Sequence, residues 1–208
     1  MKNVDDLIEE ARSLADRGFS KGEIADELNV SRETASWLVE RAGATPVQSG
    51  GGGPGDIHVD WSAVGRDSAR LNHVAAALAD LLSKQGEDVD LTVGVEKAGG
   101  PLATTVATEL DTDLATYTPR KHQWEEGSIE NLEGGFSRNF AEVRERECYI
   151  VDDTVTSGTT MQETIDAVRA RGGEPVACGV LADKQGLDEV DGVPVYSLLQ
   201  VIRAGDGE

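Results

Sequence analysis

A chain of 208 residues suits one medium domain, or a small module joined to a domain of roughly 150 residues. Hydrophobic residues make up 38% and aromatics 4%, too apolar for disorder, and no run approaches the roughly 18 apolar residues a membrane span needs. The net charge of −20 is dispersed, with six Lys against thirteen Arg, which excludes a solvated acidic tail.

Such dispersed acidity fits a salt-rich cytoplasm, where self-repulsion is screened within about 3 Å at molar salt. The alternative is an ordinary acidic protein that avoids nucleic acid. The start, MKNVDDLIEE, has no basic region followed by an apolar stretch, so no signal peptide and a cytoplasmic location are expected.

Val4, Leu7, Ile8, Ala11 and Leu14 recur at 3/4 spacing and predict a first helix that stops near Gly18. Ser20 caps a second helix, with Glu23 closing a capping box. Asn29 and Val30 interrupt it, Ser31 caps again, and RETASWLVERA forms a third helix ending near Gly43. This stretch fits a helix-turn-helix. Ile24, Leu28, Val30, Ala35 and Leu38 fall where its two helices bury against each other, Ala25 is the small residue at the crossing, and Asn29 takes the turn.

If the module binds DNA, its last helix presents Ser31, Arg32, Glu33, Ser36 and Trp37 to the major groove, with Arg41 reaching the backbone. Ten acids against six bases over residues 1–45 are a weak objection, because counterion release contributes little in molar salt. The same helices could instead serve dimerisation alone. The module spans 1–44. TPVQSGGGGPGD, 45–56, then reads as a flexible linker.

Residues 57–208 alternate between helical and strand patterns. A helix over 61–86 carries Leu71, Val74, Ala75, Leu78, Leu81 and Leu82 on one face. Strand 90–96, helix 100–110, strand 113–119 and a long polar segment, 120–146, follow. Then come strand CYIVD at 148–152, helix 157–173, strand 174–183 and a last strand at 193–199. The fold class is α/β, a Rossmann-like domain with a mostly parallel sheet, whose ligands bind beyond the carboxyl ends of the strands. Cys148 and Cys178 sit in buried-strand patterns without metal-ligand spacing and read as free thiols.

The string VDDTVTSGTT, 151–160, falls at such a strand end. Turn and capping preferences explain one or two of its residues, not all of them. Unpaired backbone N–H groups and the dipole of the following helix favour an anion there. Gly158 permits close approach, Thr156, Ser157, Thr159 and Thr160 add hydroxyls, and Asp152 and Asp153 would accept from vicinal hydroxyls. A ribose 5-phosphate suits that set.

YIVDDTVTSGTT resembles the motif with which type I phosphoribosyltransferases bind phosphoribosyl pyrophosphate (PRPP). The resemblance implies ribose hydroxyls on Asp152 and Asp153 and the 5-phosphate on Thr156, Ser157, Gly158, Thr159 and Thr160, with Thr154 also among the ligand-binding residues. EKAGGPLA, 96–103, is similar to the pyrophosphate loop of orotate phosphoribosyltransferases. There Lys97 would supply a point charge, and Ala98 and Gly99 backbone N–H groups. Alone, the segment also reads as a tight turn with Pro near a helix start. The resemblance covers about 57–200.

It departs at the basic loop R-K-x-x-K-x-H-G of orotate-type enzymes. Arg120 and Lys121 fit, but Trp124 stands at the second Lys and Glu126 at the His; His122 could substitute only in a shifted register. Losing one well-aimed donor costs about 10²–10³ in rate, so binding could survive while turnover fades. Arg120 and Lys121 are the loop candidates, and no catalytic residue is assigned.

A helix-turn-helix joined to such a domain in so acidic a chain is similar to the haloarchaeal regulators of glucose and fructose catabolism. That resemblance implies binding to operator DNA and sensing of a phosphorylated sugar effector, with PRPP the leading candidate; a homodimer is expected because two half-sites need two recognition helices. Mg²⁺ is implied only as it comes with PRPP, and the residues themselves lead us to expect no cofactor held by the protein alone, no metal site and no membrane partner. The alternative is an active orotate or purine phosphoribosyltransferase with an accessory N-terminal module.

Overall fold

The computed structural model describes residues 4–17, 19, 21–28, 30, 32–43, 59–86, 89–120 and 134–202, with only the backbone of Glu23, Asp26, Arg32 and Glu33. Gly18, Ser20, Asn29, Ser31, the 45–56 segment and the loop residues Lys121, His122, Trp124 and Glu126 lie outside the described residues. The chain divides into two compact units, residues 1–58 with 120–132, and residues 59–119 with 133–208.

In the first unit three helices share one core: α1 (Val4–Asp16), α2 (Lys21–Glu27) and α3 (Arg32–Arg41). The apolar stripe of α1 inserts Leu7, Ala11 and Leu14 between the other two. Ile24, Ala35, Leu38 and Val39 are fully buried, and Ala25 keeps 2% exposure at the crossing. Leu28 is only partly buried. Val4 departs from the expected stripe: it begins α1 and is exposed, while Ala15 is buried in its place. The α2–α3 connection is closed by the Val30 N–H on the Ala25 carbonyl, 2.9 Å.

The second unit runs α4 (Ser62–Gly65), α5 (Ser68–Leu82), β1 (Leu91–Val95), α6 (Gly99–Leu110), β2 (Asp113–Thr118), β3 (Gly135–Phe136) and β4 (Glu147–Val155). It continues with α7 (Thr159–Ala170), β5 (Glu174–Asp183), β6 (Glu189–Val190) and β7 (Val193–Gln200). The sheet order is β3-β2-β1-β4-β5-β7-β6. The five central strands are parallel and the two-residue edges β3 and β6 antiparallel. This is the α/β class with a mostly parallel sheet that the alternating pattern predicts.

Alternation along each strand supplies both faces. Tyr149 and Val151 of β4, with Ala177 and Leu181 of β5, meet α5 and α6. Cys148, Ile150, Cys178 and Val180 meet Met161, Ile165 and Val168 of α7. Both cysteines are free and fully buried; burial pushes the Cys148 thiol up to about 12 and raises Cys178 as well. At the amino ends of the strands, Arg146 donates from Nε to the Asp90 carboxylate (3.1 Å) and from Nη1 to Asp113 (2.8 Å), tying β4 to β1 and β2.

Three expectations are corrected. The helix over 61–86 is two helices, because Asp67 is extended and caps α5 by accepting the Arg70 N–H at 3.0 Å. Strand β4 runs on through both acids to Val155, since Thr154 and Val155 still pair with Ala182 and Asp183 of β5. The polar segment 120–146 contains β3, and residues 184–192 contain β6. Two-residue strands carry no period that a sequence can display.

Candidate functional site

Strand β1 is where the order reverses: β2 flanks it on one side and β4 on the other. The carboxyl ends of β1 and β4 therefore border the crevice at which open α/β sheets bind ligands. Segment 96–98 leads from β1 into α6, and segment 156–158 from β4 into α7. Both helices, twelve residues each, begin beside the crevice and bring unpaired N–H groups and the positive end of a dipole to it.

The two segments touch. A Cβ at Gly99 would lie 2.8 Å from the Cα of Asp152 and 2.9 Å from its Oδ1, so only glycine fits there. Lys97 is exposed, and Ala98 is the cap of α6. The Glu96–Lys97 peptide is cis. Thr118 Oγ1 donates to Glu96 Oε2 at 2.8 Å, and the Glu96 N–H donates to the Tyr117 carbonyl at 2.8 Å, which fixes this loop to the end of β2.

Gly158 caps α7 with φ +80°, a left-handed conformation that costs an L-residue roughly 1–2 kcal/mol. Ser157 Oγ lies 2.9 Å from Thr159 Oγ1 and also accepts the Thr159 N–H at 3.4 Å. Thr154, Thr156, Ser157, Thr159 and Thr160 are all half-buried, so none of these residues is sealed from solvent.

The acid pair differs from a simple side-by-side arrangement. Consecutive strand positions alternate faces. Asp152, 9% exposed, turns its Oδ1 onto the Asp153 N–H at 2.8 Å. Asp153 is half-buried, and its Oδ2 accepts the indole N–H of Trp61 at 2.8 Å.

Sequence reasoning missed three supports. Trp61 precedes α4 by one residue and is 92 positions from Asp153, so nothing local points to their bond. Tyr117 at the end of β2 donates to Glu163 Oε1 of α7 at 2.9 Å, again over a long separation. Asp183, 1% exposed, accepts the N–H groups of Gln185 (2.9 Å), Gly186 (2.9 Å) and Leu187 (2.6 Å). That turn holds Leu187 where its Cδ1 would lie 3.4 Å from a Cβ at Gly158. The string DKQG, an Asp three residues before a Gly, is a turn signal that could have located it.

In the helical unit, Trp37 is 45% exposed and carries Arg41 over its ring at 5.8 Å from the centroid. Ser36 Oγ accepts from Lys21 Nζ at 2.6 Å. Ser31 and the side chains of Arg32 and Glu33 lie outside the described residues. Arg120 is exposed. Among the described residues no group of three or more His, Cys, Asp and Glu is placed to hold a metal ion, and no helix is long and apolar enough to cross a membrane.

The profile of the phosphoribosyl transferase domain family matches residues 60–207. The transcriptional regulator GfcR of Haloarcula marismortui is 69% identical over 211 residues, covering 100% of both chains. That of Halorubrum lacusprofundi is 68% identical over 206 residues, covering 98% of both. Among solved structures, adenine phosphoribosyltransferase from Thermoanaerobacter pseudethanolicus superposes with a TM-score of 0.56 at 21% identity, over 69% of this chain and 88% of the other. At that identity the likeness is one of fold.

Proposed function

The chain belongs to the phosphoribosyl transferase domain family and, along its full length, to the GfcR transcriptional regulators, and on that basis we propose that it controls central sugar catabolism genes by sensing PRPP. It is a transcriptional regulator with a phosphoribosyltransferase domain. The finer reading rests on one observation. Two helix amino termini and a glycine-turned hydroxyl loop border the same crevice as two carboxylates, an anion cradle beside acceptors for hydroxyls.

In this reading the segment 156–160 receives the 5-phosphate, Asp152 and Asp153 the ribose hydroxyls, and Lys97 with the N–H groups of Ala98 and Gly99 the pyrophosphate. Mg²⁺ would come with PRPP, bridging pyrophosphate oxygens. Trp124 and Glu126 stand where orotate-type enzymes carry Lys and His, which supports binding without turnover. A homodimer would place two copies of α3 in successive major grooves, with Arg32, Trp37 and Arg41 among the contacts.

The test is calorimetry of PRPP with Mg²⁺ in molar KCl, beside an assay of pyrophosphate release with orotate, uracil and purine bases. Saturable binding, weakened about tenfold or more when Asp152→Asn and Asp153→Asn are combined, is expected with no release. Arg32→Ala should remove operator binding and leave PRPP affinity unchanged. Turnover near one per second or faster would instead make the chain an active phosphoribosyltransferase. An unchanged PRPP affinity in the double Asn variant would remove the ribose assignment.

A further inference from the structure

A second concave site lies at the opposite end of α7. It is a cleft of about 820 Å³, between the strand-to-strand segment after β3 and the carboxyl end of α7. That volume falls within the roughly 300–1,000 Å³ of small-molecule sites. Arg138, Arg144, Arg169 and Arg171 line it together with Phe136 and Phe140, and Glu142 is the one carboxylate in the lining.

A chain of charge −20 with thirteen Arg and three Phe thus places four of the first and two of the second around one cleft. Solvation of an acidic surface does not account for that bias. Arg169 is held by the Asp191 carboxylate. Arg171 lies over the Phe136 ring at 4.6 Å from the centroid, a contact that leaves its charge intact. Arg138 and Arg144 are exposed, and neither makes a hydrogen bond or ion pair among the described residues. The carboxyl end of α7 contributes about half a negative charge, which the guanidinium groups outweigh. Phe140 is 43% exposed, an open ring face beside the cations.

We propose that this cleft is a second ligand site, for a nucleotide carrying several phosphates. Arg138 and Arg144 would take the phosphates in paired hydrogen bonds, which the planar guanidinium gives and an ammonium does not, and Phe140 would stack on the base. The site is separate from the phosphoribosyl crevice. They sit at the two ends of a twelve-residue helix, about 18 Å long, so one ligand of this class does not fill both.

The experiment is calorimetry of ATP and of tripolyphosphate on the full chain in molar KCl, with saturating PRPP and Mg²⁺ present to occupy the crevice. ATP should bind saturably. Combining Arg138→Ala with Arg144→Ala should weaken both probes about tenfold or more, while PRPP binding and the thermal midpoint should stay unchanged as controls for folding. Phe140→Ala should weaken ATP and spare tripolyphosphate. If Phe140→Ala weakened both probes equally, or left ATP binding unchanged, the stacking and with it the nucleotide assignment would be overturned. No saturable ATP binding, or binding insensitive to the double Arg variant, would overturn the site. So would loss of operator affinity or of dimer sedimentation in that variant without any effect on ATP, since the cleft would then belong to DNA or to a second copy.

Discussion

Trp61 donates its indole N–H to the Asp153 carboxylate while its ring packs against the α5–α6 side of the sheet. A hydrogen bond to a charged group contributes about 1.5–3 kcal/mol, and here it also orients an acid at the crevice. Trp61→Phe keeps the ring and deletes the donor. PRPP affinity should fall about tenfold while operator binding stays unchanged. A lowered thermal midpoint with unaltered affinity would mean that Trp61 supports the fold alone. At this scale the sequence shows the chemistry of a loop but not its partners. VDDTVTSGTT announces hydroxyls, acids and a glycine, and the glycine does take a positive φ. Trp61, Glu163 and Asp183 stayed invisible or nearly so, because their contacts join residues far apart in the chain or depend on a turn beyond the motif.

Helix α3 illustrates the next scale. Its Ala35, Leu38 and Val39 are fully buried, against α1 and α2, in the core of the helical unit. So small a core is marginal, and a Leu→Ala cavity costs about 2–5 kcal/mol. Leu38→Ala should therefore abolish operator binding at growth temperature and leave PRPP affinity within about twofold, since the second unit keeps its own core. Loss of both activities, measured by gel shift and calorimetry, would contradict separate cores. Long elements with a strong period were legible in the residues, α1 and the parallel strands among them. The break at Asp67 and the extension of β4 to Val155 were not. A cap competes with a continuing apolar stripe, and strand ends are set by the neighbouring strand that offers hydrogen bonds.

Over the whole molecule the charge of −20 is the governing quantity. Screening acts within about 3 Å at 1 M salt but about 10 Å at 0.1 M, so dilution lets the carboxylates repel across the surface. Lowering KCl from about 2 M to about 0.1 M should lower the thermal midpoint by several degrees, each kcal/mol being worth about 2–4 °C at this size. A midpoint that stays level or rises on dilution would show that the acidity is not an adaptation to salt. Composition and periodicity determined the α/β class and the mostly parallel sheet, and a ten-residue string pointed to an anion, because hydrophobic period and loop chemistry are local properties. The juxtaposition of Gly99 with Asp152, the indole on Asp153 and the arginine cleft at the far end of α7 came only with folding. Each depends on strand order, and strand order is decided by which distant segments bury their apolar faces together.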